Sequence, residues 1–161
     1  MHHEMQLHAS PKDPQVGMHD WVMSFDLNSL YPNLIVQYNM SPETLIGVTD
    51  ANGATASNGA VFRKDKKGII PEIVEELYAK RVTVKSDMLQ AKKKLETISK
   101  RQRTEYSQST AQVARLETLQ TAIKILLNSL YGAMGNKYFR YFDLRIASGI
   151  TLTGQEVIKY A

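Results

Sequence analysis

Apolar residues recur at a helical period along two stretches of the chain, and a polar gap separates them. After Gly68, the residues Ile73, Val74, Leu77, Val84, Met88, Leu89 and Leu95 follow one another at roughly 3.6-residue spacing. Pro71 suits the first turn of such a helix, and Glu72, Glu75 and Glu76 suit the positive end of its dipole. A second pattern starts near Ala111 and runs through Val113, Leu116, Leu119, Ile123, Leu126, Leu127, Leu130 and Tyr131, stopping at Gly132. Residues 99–110 (SKRQRTEYSQST) hold almost no apolar side chains, which predicts the exposed turn of an antiparallel helical hairpin. Arms of about 20 residues would each reach about 30 Å.

Upstream the pattern shortens. Residues 21–25 (WVMSF) form an apolar, partly β-branched run closed by Asp26, which predicts a buried strand with a carboxylate at its C-terminal end. Asn28 and Ser29 can cap a helix, Pro32 is tolerable in its first turn, and the helix would run through Leu34, Ile35 and Tyr38 to about Met40. Residues 47–68 are rich in Gly, Asn, Ala and Asp and hold two Asn-Gly pairs, Asn52-Gly53 and Asn58-Gly59, so loops and a small hairpin are expected there. Residues 1–16, broken by Pro11 and Pro14, are expected to be a flexible lead-in. Residues 136–161 read as strand or loop followed by the start of another helix, without a stop signal. The expected fold class is mixed, helix-rich α/β: a partial sheet joined to a long antiparallel α-helical hairpin.

Composition narrows the function classes. With 161 residues, 43% hydrophobic and 22% charged, the chain can bury one ordinary core. No apolar run approaches the roughly 20 residues needed to span a bilayer, and the start (MHHEMQLHAS) lacks the apolar stretch of a signal peptide, so a soluble cytoplasmic protein without a membrane partner is expected. The absence of cysteine excludes disulfides and thiolate metal sites. His2, His3, His8 and His19 crowd the start but show no helical i, i+4 pairing and no second cluster, so they do not read as a metal site. The net charge of +4 is unevenly spread: residues 63–140 hold 17 Lys/Arg against 8 Asp/Glu, and the rest holds 3 against 8. A basic middle fits an anionic partner such as a nucleic acid or nucleotide, although solvated helix charges give the same count.

Spacing concentrates that charge. Arg81 and Lys85 lie on one face of the first helix, and Lys124, Asn128 and Tyr131 stand at i, i+4 and i+7 on the second. The midpoint of Lys85 and Lys124 is 104.5, inside the polar gap, so folding the hairpin there brings both faces to one level. Converging Arg and Lys are what a triphosphate needs: a guanidinium fork for paired oxygens and ammonium point charges beside it. A triphosphate brings Mg²⁺, which takes few protein carboxylates plus phosphate oxygens and water. Asp26, at the end of the expected strand, is placed for that role, or for capping the helix that follows.

Four segments share a wording with a known family. SFDLNSLYPN (residues 24–33) resembles motif A of family B DNA polymerases, D-x-x-S-L-Y-P, and KILLNSLYG (124–132) resembles motif B, K-x-x-x-N-S-x-Y-G. GIIPEIVEELYAKRVTVK (68–85) is similar to the first fingers helix, and GNKYFRYFDLRIASGIT (135–151) to the segment after motif B. The wording is nearest to the replicative polymerases of large tailed bacteriophages.

The resemblance implies an activity and a role for each matching residue. Asp26 would be the first catalytic metal ligand, with the Leu27 carbonyl also facing a metal. Ser29, Leu30 and Tyr31 would offer backbone N–H groups to the β- and γ-phosphates. Tyr31 would lie under the sugar and exclude a 2′-hydroxyl. Arg81, Lys85 and Lys124 would hold the triphosphate, Lys124 also acting in catalysis; Asn128 would order that site, and Tyr131 and Gly132 would line the nascent base pair. The implied reaction is two-metal nucleotidyl transfer from dNTP to primer-template DNA, with Mg²⁺ as cofactor and closure of the fingers hairpin onto the nucleotide.

On the same resemblance, residues 1–70 are a partial palm, 71–132 the fingers hairpin, and 133–161 a truncated return to the palm. The family's D-T-D hairpin does not follow Gly132, where Asp143 is the next and last Asp. The chain alone is therefore expected not to extend primers, the D-T-D motif and thumb coming from a second polypeptide or a missing C-terminal part. The rival expectation is a non-catalytic nucleic-acid-binding or assembly subunit of a split polymerase.

Overall fold

The computed structural model describes residues 13, 15–23, 26–27, 29–46, 52–99 and 102–160. The elements follow in the order α1 (Leu30–Gln37), β1 (Leu45–Ile46), β2 (Ala54–Thr55), β3 (Val61–Phe62), α2 (Ile69–Thr97), α3 (Arg103–Met134) and α4 (Leu144–Tyr160). This is the helix-rich α/β class expected, with a three-stranded sheet rather than a strand at residues 21–25 as its β component.

The α2–α3 hairpin dominates the shape. Its arms have 29 and 32 residues, or about 43 and 48 Å at ~1.5 Å per residue, well beyond the reach expected from apolar spacing. The excess lies in α3, which begins at Arg103 rather than near Ala111; its first two turns are almost wholly polar and exposed, so apolar periodicity could not reveal them. The register inferred from Lys85 and Lys124 does hold between the arms. Lys92 Nζ lies 3.1 Å from Glu117 Oε1, a pair with the same sequence midpoint. α3 also passes through Gly132 and ends at Met134, whose side chain is fully buried and rewards the extra half-turn.

At the base of the hairpin, α1 lies against α2, α3 and α4. Pro32 sits in its first turn, where a missing N–H costs nothing, and Leu34 and Ile35 face the core. Asn39 then turns the chain in a left-handed conformation (φ 56) that Asn tolerates better than most residues. Its amide Nδ2 donates to the carbonyls of Arg63 (2.7 Å) and Lys66 (2.8 Å), and its Oδ1 accepts from the Gly68 N–H (2.8 Å). One side chain thus fixes the loop that launches α2. Gly68 belongs there because a Cβ would stand 2.6 Å from that of Ser41.

The small sheet has the order β1-β3-β2, both pairings antiparallel, with Leu45 and Ala54 opposite Phe62. Asn58-Gly59 makes the β2–β3 turn, with Gly59 at φ 82, as the Asn-Gly pair predicts. The same turn straps down α4. Asn58 Nδ2 donates to the Arg145 carbonyl (2.7 Å) and Ser148 Oγ (3.0 Å), and the Ser57 N–H donates to Thr153 Oγ1 (3.0 Å). Asp143 caps α4, accepting from the Arg145 N–H (2.9 Å) and pairing with its guanidinium. Ile35, Met40, Phe62, Met134, Ile146 and Ile150 form a fully buried core between these elements.

The buried strand expected at residues 21–25 is not formed where the chain is described. Trp21 is 99% exposed with φ 58, and Val22 and Met23 are exposed as well. An isolated strand leaves its backbone groups unpaired, and among the described residues no neighbour pairs with these three. Ser24, Phe25, Asn28 and residues 1–12, with His2, His3 and His8, lie outside the described residues. Among the described residues no helix is long and apolar enough to cross a membrane.

Candidate functional site

A cleft of about 760 Å³ opens at the base of the hairpin, where the start of α1 faces both long helices. Its lining comprises Asp26 and Leu27, Ser29 to Pro32 at the start of α1, Arg81 of α2, and Lys124 and Asn128 of α3. Leu127 and Ile158 supply apolar surface behind them. Asp26, Arg81, Lys124 and Asn128, drawn from three separate stretches of sequence, thus meet in one cavity.

The local backbone explains what the start of α1 can bind. Ser29 occupies the N-cap position with φ 53 and makes no side-chain cap to its own helix. The Asn33 N–H reaches the Ser29 carbonyl (3.0 Å), Pro32 has no N–H, and the amides of Leu30 and Tyr31 have no acceptor within the helix. Two helix-start donors with no acceptor among the described residues suit an anion. Arg81 Nη1 donates weakly to Ser29 Oγ (3.4 Å), while its Nε is buried without a partner among the described residues. A buried guanidinium N–H without an acceptor is costly.

Tyr31 lines the cleft and stacks on Tyr131, ring centroids 4.5 Å apart at 29°. Burial pushes the Tyr31 phenol above its ordinary pKa and the neighbouring Tyr131 adds to this, so the ring stays neutral at physiological pH. Tyr131 lies behind Tyr31 rather than on the cleft wall, its Oη 2.7 Å from Thr151 Oγ1. Gly132 is exposed, with open space where a Cβ would be. Lys85 is exposed one turn beyond Arg81 and does not line the cleft. Ile158, Thr151 and Gly154 are the participants that spacing did not reveal, because a residue behind a site carries no pattern of its own in sequence.

Among the described residues Asp26 is the one carboxylate lining the cleft, and no three His, Cys, Asp or Glu side chains converge. One carboxylate facing converged cations fits Mg²⁺ that arrives with a phosphate ligand, since that ion takes one or two carboxylates and fills its shell with phosphate and water.

A sequence profile of DNA polymerase family B matches residues 12–161. The chain belongs to that family. It is 32% identical to the DNA-directed DNA polymerase of Escherichia phage RB69 over 94% of its length, and 31% identical to that of Enterobacteria phage T4 over 92%. A solved family B DNA polymerase from the hyperthermophilic archaeon Pyrobaculum calidifontis superposes with a TM-score of 0.65 at 26% identity, covering 82% of this chain. The family B chain spans 22% of each phage polymerase and 16% of the archaeal one. The likeness in motifs A and B is therefore part of a match along nearly the whole chain.

Proposed function

We propose that this chain supplies palm and fingers elements of a DNA-directed DNA polymerase, binds Mg²⁺-dNTP, and takes part in template-directed nucleotidyl transfer during DNA replication. Residues 1–70 then belong to the palm, 71–132 to the fingers, and 133–161 to the return into the palm. The observation that carries the reading is a single cleft holding a carboxylate (Asp26), two cations from opposite hairpin arms (Arg81 and Lys124) and the uncapped amides of α1.

Each group has a task in that reaction. Arg81 and Lys124 neutralise the triphosphate, the amides of Ser29, Leu30 and Tyr31 receive its oxygens, and Asn128 orders the wall beside them. Lys85, one turn out, joins them when the hairpin closes. Tyr31 lies under the sugar, and Tyr131 and Gly132 border the nascent base pair. Asp26 and the Leu27 carbonyl would hold Mg²⁺, which when bound activates the primer 3′-hydroxyl and steadies the leaving pyrophosphate. The protein's own contribution is positioning and charge.

Primer extension needs residues beyond these. No D-x-D follows Gly132, and Asp143 is engaged as the cap of α4. The second carboxylate and a thumb come from another polypeptide or from sequence outside this chain, and the work is done in the cytoplasm, that of a bacterial host if the source is a phage. Calorimetric titration tests the binding step: dNTP should bind only with Mg²⁺, and Arg81→Ala and Lys124→Ala should each weaken binding by about 10- to 100-fold. Binding to DNA that falls steeply with salt, with no response to dNTP, would establish a non-catalytic module instead. Extension by the purified chain, abolished by Asp26→Ala, would remove the requirement for outside residues.

A further inference from the structure

Tyr31 is gripped from behind by α4. Gly154 lies so close that a Cβ there would stand 2.9 Å from Tyr31 Cε1, nearer than a side chain and a ring can sit without moving. On the other ring of the stack, Thr151 Oγ1 donates to the Ala147 carbonyl (3.0 Å), which uses its only hydrogen. The 2.7 Å contact with Tyr131 therefore has the phenol donating to Thr151. Thr151 is buried and one turn before Gly154, so both contacts fall on one face of α4. The helix itself cannot yield easily, since Asn58 and Ser57 clamp it from the sheet side.

We propose that Gly154 and Thr151 are positioning residues that set how far the Tyr31 ring projects into the cleft, and so set discrimination between deoxy- and ribonucleotides. This rests on the reading of Tyr31 as the residue beneath the sugar. Gly154 fixes the rearmost position the ring can take, and Thr151 holds its stacking partner so that the pair cannot slide. A methyl group at residue 154 drives the ring toward the cleft and tightens the sugar space. Loss of the hydroxyl at residue 151 removes the hydrogen bond that Tyr131 makes there and loosens the stack.

The test measures kcat and KM for a dNTP and the matching rNTP in the active polymerase that contains this chain. Gly154→Ala should raise KM for dNTP with little change in kcat, and raise the dNTP/rNTP discrimination ratio by up to about tenfold, the scale of one methyl group in a packed pocket. Thr151→Val should lower that ratio several-fold, and Thr151→Ser, which keeps the hydroxyl, should restore it. Tyr31→Ala is the control. If it relaxes discrimination while folded Gly154→Ala and Thr151→Val variants discriminate as the parent does, the positioning role is overturned and the reading of Tyr31 stands. If Tyr31→Ala leaves the ratio unchanged, the reading of Tyr31 falls and the positioning role with it. Should Gly154→Ala fail to fold, the near-isosteric Thr151→Val and its Ser rescue decide.

Discussion

The two halves of the α2–α3 hairpin have the same secondary structure and different physics. At the base, Val74, Val84, Ile123 and Leu127 are buried in a core shared with α1, the sheet and α4. Beyond Val84 and Ile123 the fully shared core gives out, with Leu116 packed against its edge; Met88, Ser109 and Val113 are buried farther along the arms, but Leu89 is 48% exposed. The cleft lies wholly in the first half. Packing from several elements fixes side chains to within the tolerance a binding site needs, whereas two helices alone make a lever. The long, basic, solvated tip is the part of the molecule whose sequence is least constrained by burial.

The largest test of this contrast compares one truncation in each half. Ile123→Ala, at 3% exposure in the shared core, should cost about 3 kcal/mol and Leu89→Ala under about 1 kcal/mol, measured by denaturant unfolding. Equal losses would mean that the tip is as integral to the fold as the base. Next in size, Asn39→Ala removes three hydrogen bonds around the launch of α2 and leaves a non-Gly, non-Asn residue at φ 56. A loss of about 2 kcal/mol is expected, with faster hydrogen exchange at the start of α2 and none at the tip. Exchange that rises evenly along both arms would show the hairpin to be one cooperative unit.

The same contrast decides what sequence could reveal. Periodic apolar residues announce helices that pack, so the base of the hairpin and its register were legible from Ile73 to Val84 and from Leu116 to Leu130. The first turns of α3 bury little and announced nothing. Asn58-Gly59 named its turn because only certain residues adopt that backbone, but its grip on α4 depends on residues some 90 positions away. Residues 21–25 failed in the opposite direction. An apolar β-branched run reads as a strand whether or not a partner stands beside it, and pairing is not a property of the run itself. In the cleft, Asp26, Arg81, Lys124 and Asn128 could be gathered because charge and amide chemistry are visible in the residues. Gly154 and Thr151 could not, since their importance is only their distance from two tyrosines.

A smaller effect at the base depends on pH. Burial alone would push the Glu43 carboxyl up, but hydrogen bonds from Ser41 Oγ and the Ile69 N–H, with the charge of Lys66, outweigh it and hold the group below its ordinary pKa near 4.5. A carboxylate whose pKa is depressed on folding adds stability that is complete above the unfolded value and vanishes as pH falls through the folded one. Glu43→Gln should therefore cost roughly 0.5–1 kcal/mol at pH 7, discounted for the exposure of this side chain. The gap between parent and variant should close below about pH 4.5. A gap that stays constant down to pH 3 would mean that the carboxylate's charge plays no part in anchoring the first turn of α2.

The smallest effect is expected at the tip, from its one ion pair between the arms among the described residues. Lys92 and Glu117 are 3.1 Å apart with side chains 41% and 55% exposed, so water screens their attraction and ordering two long side chains offsets much of it. A double-mutant cycle with Lys92→Ala and Glu117→Ala should give a coupling of less than about 0.5 kcal/mol, falling further in 0.5 M salt, where the screening length is roughly 4 Å. Because neither residue touches the core, each single variant should leave dNTP binding at the base unchanged. A coupling above about 1 kcal/mol, or weaker nucleotide binding in either variant, would show that arm-to-arm contacts at the tip hold the base in register. The division between a packed site and a passive lever would then be wrong.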